Sequence, residues 1–309
     1  MTRVLLYRAL GLGDFLTAVP AYRAVARAFP TYDVVLAAPG PLRSLATLTG
    51  AVDTFLPTTE LALPTWPGPP PQVTVNLHGR GPQSHRLLES MRPGRLVAFG
   101  PADGGTGGPT WRAAEHEVSR WCRLLQESGI PADPADLDLA TPASPPPVRA
   151  ATVVHPGAAG VARRWPVERF ARVAAVLEDA GHHVVVTGVG GEKSMAATVV
   201  DGAGLPADRV LAGRLDLAGM AALVAAARLV VCGDTGVAHL ATAFRTPSVL
   251  LFGPMSPVLW GPPPGSSSHQ VLWHGDLAAA APPAAGPHPA LLAITVDEVL
   301  DSIRAAQSV

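Results

Sequence analysis

Short apolar segments that lead into a glycine- or proline-rich turn and then into a helical pattern recur along this chain. Arg3–Tyr7 leads into Gly11-Leu12-Gly13-Asp14, and Thr152–His155 leads into Pro156-Gly157. The other apolar segments that we predict to be strands are Val34–Ala37, Val73–Leu77, His183–Thr187, Leu229–Cys232 and Ser248–Phe252. After each turn, apolar residues recur at intervals of three and four, which is typical of a helix. Strands that alternate with helices predict βαβ units and a parallel sheet.

A proline-rich segment divides this pattern into two series. Residues 141–147 read Thr-Pro-Ala-Ser-Pro-Pro-Pro, which is typical of a semi-rigid linker. A chain of 309 residues has room for two domains, since domains commonly have about 150 residues. We therefore predict one domain over 1–147 and another over 148–309, with irregular segments at 101–110 and 276–290.

Composition and charge exclude several classes of protein. The net charge is −1 and no run of Lys or Arg is present, which disfavours a nucleic-acid partner. Cys122 and Cys232 lie far apart in apolar surroundings, as expected for buried thiols in a reducing compartment. No apolar stretch approaches ~18 residues, and Arg8 and Asp14 interrupt the apolar N-terminal run. We expect a cytoplasmic protein without a signal peptide or transmembrane segment, whose contact with membranes would be peripheral.

The first strand-to-helix turn contains a candidate catalytic group. Gly11 and Gly13 allow another molecule to approach the backbone closely, and Asp14 faces the end of the sheet where ligands bind in such folds. A dinucleotide fingerprint needs a third glycine at position 16, where this chain has Leu16, so a dehydrogenase is disfavoured. From the residues alone, the simpler interpretation is that Asp14 only caps the helix, which aspartate does well.

Two turns of the second half contain candidate phosphate-binding groups. Arg163 and Arg164 precede Trp-Pro at a helix start, which suits a diphosphate, although exposed arginines are often only solvated. Thr235 and Gly236 begin a helix whose free N–H groups would bind an anion. Asp234 would repel a phosphate, so we expect it to order this turn.

A third turn, Gly188-Val189-Gly190-Gly191, ends the strand predicted over His183–Thr187. Glu192 follows it and is compatible with two roles. Its carboxylate could bind ribose hydroxyls, or it could only stabilise the start of a helix.

The order of these motifs resembles that of glycosyltransferase family 9, the lipopolysaccharide heptosyltransferases and their relatives. The matching segments are Arg8-(x)2-Gly11-(x)-Gly13-Asp14-(x)5-Pro20-Ala21, His155-Pro156-Gly157, Arg163-Arg164-Trp165-Pro166, Asp234-Thr235-Gly236-(x)2-His239-Leu240, and Phe252-Gly253-Pro254 with Trp260-Gly261-Pro262.

The resemblance implies a GT-B fold, in which two Rossmann-like α/β domains with parallel sheets face a central cleft. The first domain would bind the acceptor and the second the sugar nucleotide. The implied reaction is inverting, metal-independent transfer of a heptose-like sugar from an ADP-sugar-type donor to a hydroxyl of a glycan or small molecule. No cofactor besides the donor is implied.

The resemblance also assigns residues. Asp14 would be the general base, and no residue would bind a metal. The implied donor-side residues are Arg163, Arg164, Thr187, Glu192, Leu215, Asp234, Thr235, Gly236 and His239. The implied acceptor-side residues are Gly11, Gly13, His78, Arg80 and Gln83.

Two other functions stay open at this point. A GT-B sugar-nucleotide epimerase would share the phosphate site without needing an acceptor, and a non-catalytic relative would only bind the sugar nucleotide. Asn76 stands where many relatives have an acid, and it is followed by His78-Gly79-Arg80. These departures leave the acceptor unassigned.

Overall fold

The computed structural model describes residues 2–100, 107–276 and 286–307. The predicted irregular segments at 101–110 and 276–290 therefore lie largely outside the described residues. The chain divides into two compact units, Met1–Ala140 and Thr141–Val309. The proline-rich segment 141–147 begins the second unit.

The first unit is a parallel-sheet α/β unit. Its described strands are β1 (Arg3–Tyr7), β2 (Asp33–Ala38), β3 (Thr54–Pro57), β4 (Val73–Asn76) and β5 (Arg95–Val97). Its described helices are α1 (Leu12–Thr17), α2 (Val19–Ala28), α3 (Arg43–Leu48), α4 (Gln83–Glu89) and α5 (Glu117–Glu127). Among the described residues these strands form one five-stranded sheet in the order β3-β2-β1-β4-β5.

The strand order of this sheet reverses between β1 and β4. β1 pairs with β2 on one side and with β4 on the other, and Tyr7 is in register with Asn76. In open parallel sheets, ligands bind outside the carboxyl ends of the strands at such a reversal. The turn that contains Gly11 and Asp14 follows β1, so it lies at this position.

The second unit repeats the α/β arrangement. Its described strands are β6 (Thr152–His155), β7 (Val184–Val186), β8 (Leu229–Gly233), β9 (Ser248–Phe252) and β10 (His269–Trp273). Its described helices are α6 (Val167–Asp179), α7 (Lys193–Gly202), α8 (Leu217–Ala225), α9 (Gly236–Ala243), α10 (Pro257–Trp260), α11 (Pro289–Ala293) and α12 (Val296–Gln307). In the described part of the chain, the strands form a five-stranded parallel sheet in the order β10-β9-β8-β6-β7.

The reversal in this second sheet lies between β6 and β8. His155, the last residue of β6, is in register with Cys232 of β8. Both strands are buried along their whole length, because helices cover both faces of a parallel sheet. The carboxyl ends of β6 and β8 lead into the turns that contain Arg163 and Asp234.

Proline and capping residues set several helix boundaries. α1 ends at Thr17 and a new helix begins at Val19, which places Pro20 in the first turn, where a missing N–H costs nothing. Thr295 and Glu298 form a capping box at α12, with Glu298 N–H donating to Thr295 Oγ1 at 3.2 Å and Thr295 N–H donating to Glu298 Oε2 at 2.7 Å. Pro166 directly precedes the helix that follows Arg163 and Arg164 and is its N-cap residue. Its ψ of 132° is extended, and α6 begins at Val167.

None of the helices in the described ranges combines the length and the apolar character that a membrane-spanning helix needs.

Candidate active site

Asp14 is the third residue of α1, at the carboxyl end of β1. Gly11, not Asp14, precedes the helix as its N-cap residue, and Asp14 lies in the first turn of α1. The Asp14 side chain is 31% exposed, and its Oδ1 lies 3.2 Å from Arg8 Nη2. A partly exposed carboxylate that is held by a cation is available to act on a bound molecule.

Arg8 connects the Asp14 turn to α5. It is fully buried, and its Nε donates to the backbone oxygen of Asp14 at 2.8 Å. Its Nη1 donates to Leu77 O, and its Nη2 lies 3.0 Å from Glu117 Oε1. The guanidinium carbon lies 4.6 Å from the centre of the Trp121 ring. Sequence reasoning did not find Glu117 or Trp121, because they lie more than 100 residues from Arg8 in the chain.

The acceptor-side residues differ in how close they lie to this network. The His78 ring is 5.3 Å from the Tyr7 ring at the β1–β4 reversal. Burial, and secondly the charge of Arg8, lower the pKa of His78, which keeps its imidazole neutral at pH 7. Arg80 and Gln83 are exposed, so their role in acceptor binding stays a prediction. Gly13 is half-buried within α1.

Asn76 fixes the loop that contains His78. It is fully buried, its Nδ2 donates to Ser84 Oγ at 2.9 Å, and its Oδ1 accepts the His78 N–H at 3.0 Å. In this chain the amide at position 76 therefore orders the loop after β4.

In the second unit, the ends of β6 and β7 are joined by a buried side-chain hydrogen bond. His155 Nδ1 lies 3.0 Å from Thr187 Oγ1, and both residues are buried. Burial lowers the pKa of His155 to about 4, so the ring is neutral at pH 7. The Thr187 hydroxyl is thus bonded to His155, and this bond holds the turn that follows β7.

The two predicted phosphate-binding arginines have different partners. Arg163 Nη1 lies 3.4 Å from Asp234 Oδ2, and the Arg163 side chain is 40% exposed. Burial raises the pKa of Asp234, and the charge of Arg163 opposes that shift. Arg164 instead donates from Nε and Nη2 to Ala158 O at 3.0 and 2.9 Å, which closes its own loop. Arg163 is therefore the better placed of the two for a ligand.

The start of α9 adjoins this ion pair. Thr235 is the N-cap residue, and its Oγ1 accepts the Val237 N–H at 3.2 Å. Gly236 and His239 are partly exposed, and the His239 ring lies 6.2 Å from the Trp260 ring. A helix start concentrates unsatisfied N–H groups and positive potential, which favour an anion.

Glu192 and Leu215 lie on two turns that pack together. Gly213 N–H donates to Gly188 O at 2.9 Å, which holds the turn before Leu215 against the turn before Glu192. Glu192 Oε2 accepts the Val189 N–H at 2.9 Å, as in a capping box. The carboxylate also occupies the space beside Gly157, where an added Cβ would lie 2.3 Å from it.

These contacts bring several of the predicted donor-side residues together at one end of the second sheet. The pairs His155–Thr187, Arg163–Asp234 and Glu192–Gly157 join the loops after β6, β7 and β8. Within residues 2–100, 107–276 and 286–307, no group of three or more His, Cys, Asp or Glu side chains is placed to hold a metal ion. Arg163 and the start of α9 contribute positive charge to this cluster.

We predict that Gly157→Ala destabilises the second unit, because the new methyl group would displace the Glu192 carboxylate from Val189 N–H. Glu192 is half-buried and its carboxylate can swing away, so the cost is that of the lost hydrogen bond, about 0.5–1.5 kcal/mol, and urea unfolding measures it. Gly160→Ala is the matched control, since an added Cβ there meets nothing within 4 Å. Equal stability of the two variants would show that the hydrogen bond between Glu192 and the Val189 N–H does not stabilise the second unit.

Three kinds of comparison relate the chain to known proteins. The sequence model of glycosyltransferase family 9 (heptosyltransferase) matches residues 111–281, which is more than half of the chain. Lipopolysaccharide heptosyltransferase 2 of Escherichia coli is 33% identical over 163 residues, which are 48% of this chain and 44% of that protein. Lipopolysaccharide heptosyltransferase 1 of Pseudomonas aeruginosa is 38% identical over 106 residues, 34% of this chain and 29% of that protein. The matched region thus spans less than half the length of these relatives.

Solved structures extend the likeness to nearly the whole fold. The structure of E. coli ADP-heptose lipopolysaccharide heptosyltransferase II superposes with a TM-score of 0.79 at 21% identity and covers 99% of both chains. A family 9 glycosyltransferase from Veillonella parvula gives a TM-score of 0.78 at 16% identity, covering 99% of this chain and 97% of that one.

The likeness to these structures confirms the predicted GT-B fold of two parallel-sheet α/β domains. The family match begins at Trp111, so the Asp14 turn lies outside it. The loops that contain Arg163, Glu192 and Asp234 lie inside it, at one end of the second sheet. This chain belongs to glycosyltransferase family 9, the heptosyltransferase family.

Proposed function

We propose that this protein is an inverting, metal-independent glycosyltransferase that moves a heptose-like sugar from an ADP-sugar to an acceptor hydroxyl. The observation that carries the proposal is the cluster at the β6–β8 reversal. There the partly exposed Arg163 pairs with Asp234, which directly precedes the start of α9. The chain that carries this cluster belongs to the heptosyltransferase family. The cytoplasmic location expected from the sequence is part of this proposal.

The donor diphosphate would bind at the start of α9. Arg163 would give up part of its 3.4 Å ion pair with Asp234 to contact the phosphates, and the first N–H groups of α9 would contact them as well. The nucleoside would lie towards the paired turns of Glu192 and Leu215. The adenine preference is supported by an E. coli heptosyltransferase of similar fold that was solved with ADP.

Asp14 would act as the general base. Its carboxylate would take the proton of the acceptor hydroxyl while that oxygen bonds to the anomeric carbon and the bond to the diphosphate breaks. Attack opposite the leaving group inverts the anomeric configuration. A positioned general base contributes about 10²–10⁴-fold to the rate, and the neutral His78 would lie beside the acceptor.

We predict that Asp14→Asn abolishes most sugar transfer and leaves donor affinity unchanged, because the base acts on the acceptor. The rate should fall by about 10²-fold or more, measured as product formation, with ADP affinity measured by calorimetry. An Asn variant that turns over at a rate similar to the parent would rule out Asp14 as the base.

We predict that Arg163→Ala weakens ADP binding, whereas Arg163→Lys keeps much of it because a point charge remains. A hydrogen bond to a charged group contributes about 1.5–3 kcal/mol, so the loss should be roughly ten- to hundredfold. Arg172→Ala, at an exposed position on α6, is the matched control. Unchanged affinity in Arg163→Ala would remove Arg163 from the phosphate site.

We predict that ADP raises the melting temperature more than UDP, GDP or dTDP does. A ligand at 100 times its Kd adds about 2.7 kcal/mol, which corresponds to a shift of several degrees for a unit of this size. The shift should shrink in Arg163→Ala. A clearly larger shift with UDP or GDP would exclude the ADP-linked donor but not sugar transfer.

We predict that EDTA does not abolish transfer, because Arg163 and the start of α9 balance the charge of the departing diphosphate. The measurement compares rates in EDTA with rates after added magnesium or manganese. Complete loss in EDTA with recovery on adding either ion would contradict metal-independent transfer.

A further inference from the structure

The Arg8 guanidinium holds both the backbone and the side chain of Asp14. Nε donates to Asp14 O at 2.8 Å, and Nη2 lies 3.2 Å from Asp14 Oδ1. Because the guanidinium is planar and its donors have fixed directions, these two contacts together fix the orientation of the carboxylate on α1.

Glu117 also contacts the Arg8 guanidinium. Its Oε1 lies 3.0 Å from Arg8 Nη2 and also accepts the Trp121 Nε1–H at 2.8 Å. Its Oε2 accepts from Arg120. Glu117 and Arg8 are both buried, so little water screens the charges. Asp14 and Glu117 therefore share the positive charge of Arg8.

We propose that Arg8 is the positioning residue of Asp14, and that Glu117 tunes the basicity of Asp14 by sharing the charge of Arg8. This inference rests on the proposed role of Asp14 as the general base. The inference gives α5 an indirect part in the reaction, because its residues Glu117 and Trp121 contact Arg8.

Other titratable groups lie near this set. Tyr22 of α2 is buried, and burial raises its pKa. Burial and Arg8 lower the pKa of His78, which Glu60 raises by a smaller amount. Tyr22 and His78 are therefore uncharged at neutral pH. Arg8 lies 3.2 Å from Asp14 and 3.0 Å from Glu117, and Arg120 in turn contacts Glu117.

Removing each of the two charges should shift the pKa of Asp14 in opposite directions. A neighbouring cation favours the ionised carboxylate and lowers its pKa by about 1–3 units. Arg8→Met should therefore move the acid limb of kcat/KM to higher pH by about that amount. Glu117→Gln leaves more of the Arg8 charge to Asp14, so the limb should move to lower pH.

The experiment measures pH profiles of kcat/KM for Arg8→Met, Arg8→Lys and Glu117→Gln, together with the carboxyl ¹³C titration of Asp14. Arg8→Met leaves Glu117 with Arg120 and Trp121 as partners, so no carboxylate is left buried alone. Arg8→Lys keeps the charge but not the planar geometry, so the limb should stay near that of the parent while kcat falls. Circular dichroism and a thermal unfolding curve close to that of the parent check that the first unit, which contains all of these positions, is folded in each variant.

Arg123→Gln and Glu115→Gln are the matched controls. Arg123 also belongs to α5 and is nearly buried, and it pairs with Glu115 at 2.7 and 2.8 Å without an observed contact to Arg8. These variants remove the same kinds of charge and should leave the acid limb in place.

Opposite shifts for Arg8→Met and Glu117→Gln, absent from the controls, would support the inference. It would be overturned if both variants keep the parent profile, or if the controls shift it equally. An active Asp14→Asn would refute the proposed base itself. Loss of activity in Asp14→Asn, with unshifted profiles in the Arg8 and Glu117 variants, would refute only the positioning role.

Discussion

Parallel pairing of β1 with β4, and of β6 with β8, is the constraint on which the candidate site depends. In each sheet the strand order reverses at that pair, so the two loops that follow the paired strands diverge and leave a crevice between them. Tyr7 is in register with Asn76, and His155 with Cys232. The pairing therefore brings residues that are about 70 or 80 positions apart in sequence to the same end of a sheet.

Buried and half-buried charges adapt these two crevices to different chemistry. In the first unit, Arg8 is fully buried and holds Asp14, so the group that faces the ligand is a carboxylate. In the second unit the arrangement is reversed: Asp234 is buried, and its partner Arg163 is 40% exposed. A carboxylate suits the removal of a proton and a cation suits a diphosphate, so one supersecondary pattern supplies two different halves of the proposed reaction.

Sequence reasoning identified the interior strands and the motif loops, because both carry strong local signals. β1, β6, β8 and β9 are buried along nearly their whole length and read as apolar runs. It missed β3, β5 and β10, which are edge strands with partly exposed residues. It also missed the contact of Glu117 with Arg8, since nothing local marks a pair 109 residues apart. The hydrogen bond from Arg164 to Ala158 O was missed as well, because it is seen only in the folded loop.

The most direct test of the account is a crystal structure of the protein with bound ADP. The account predicts that the diphosphate lies at the β6–β8 reversal, within hydrogen-bond distance of the Gly236 N–H and of the Arg163 guanidinium, with the nucleoside beside Glu192 and Leu215. Arg163 should then be drawn away from Asp234, and Arg164 should keep its bonds to Ala158 O. A diphosphate bound in the first unit, or bound in the second unit without contact to Arg163 or the start of α9, would contradict it.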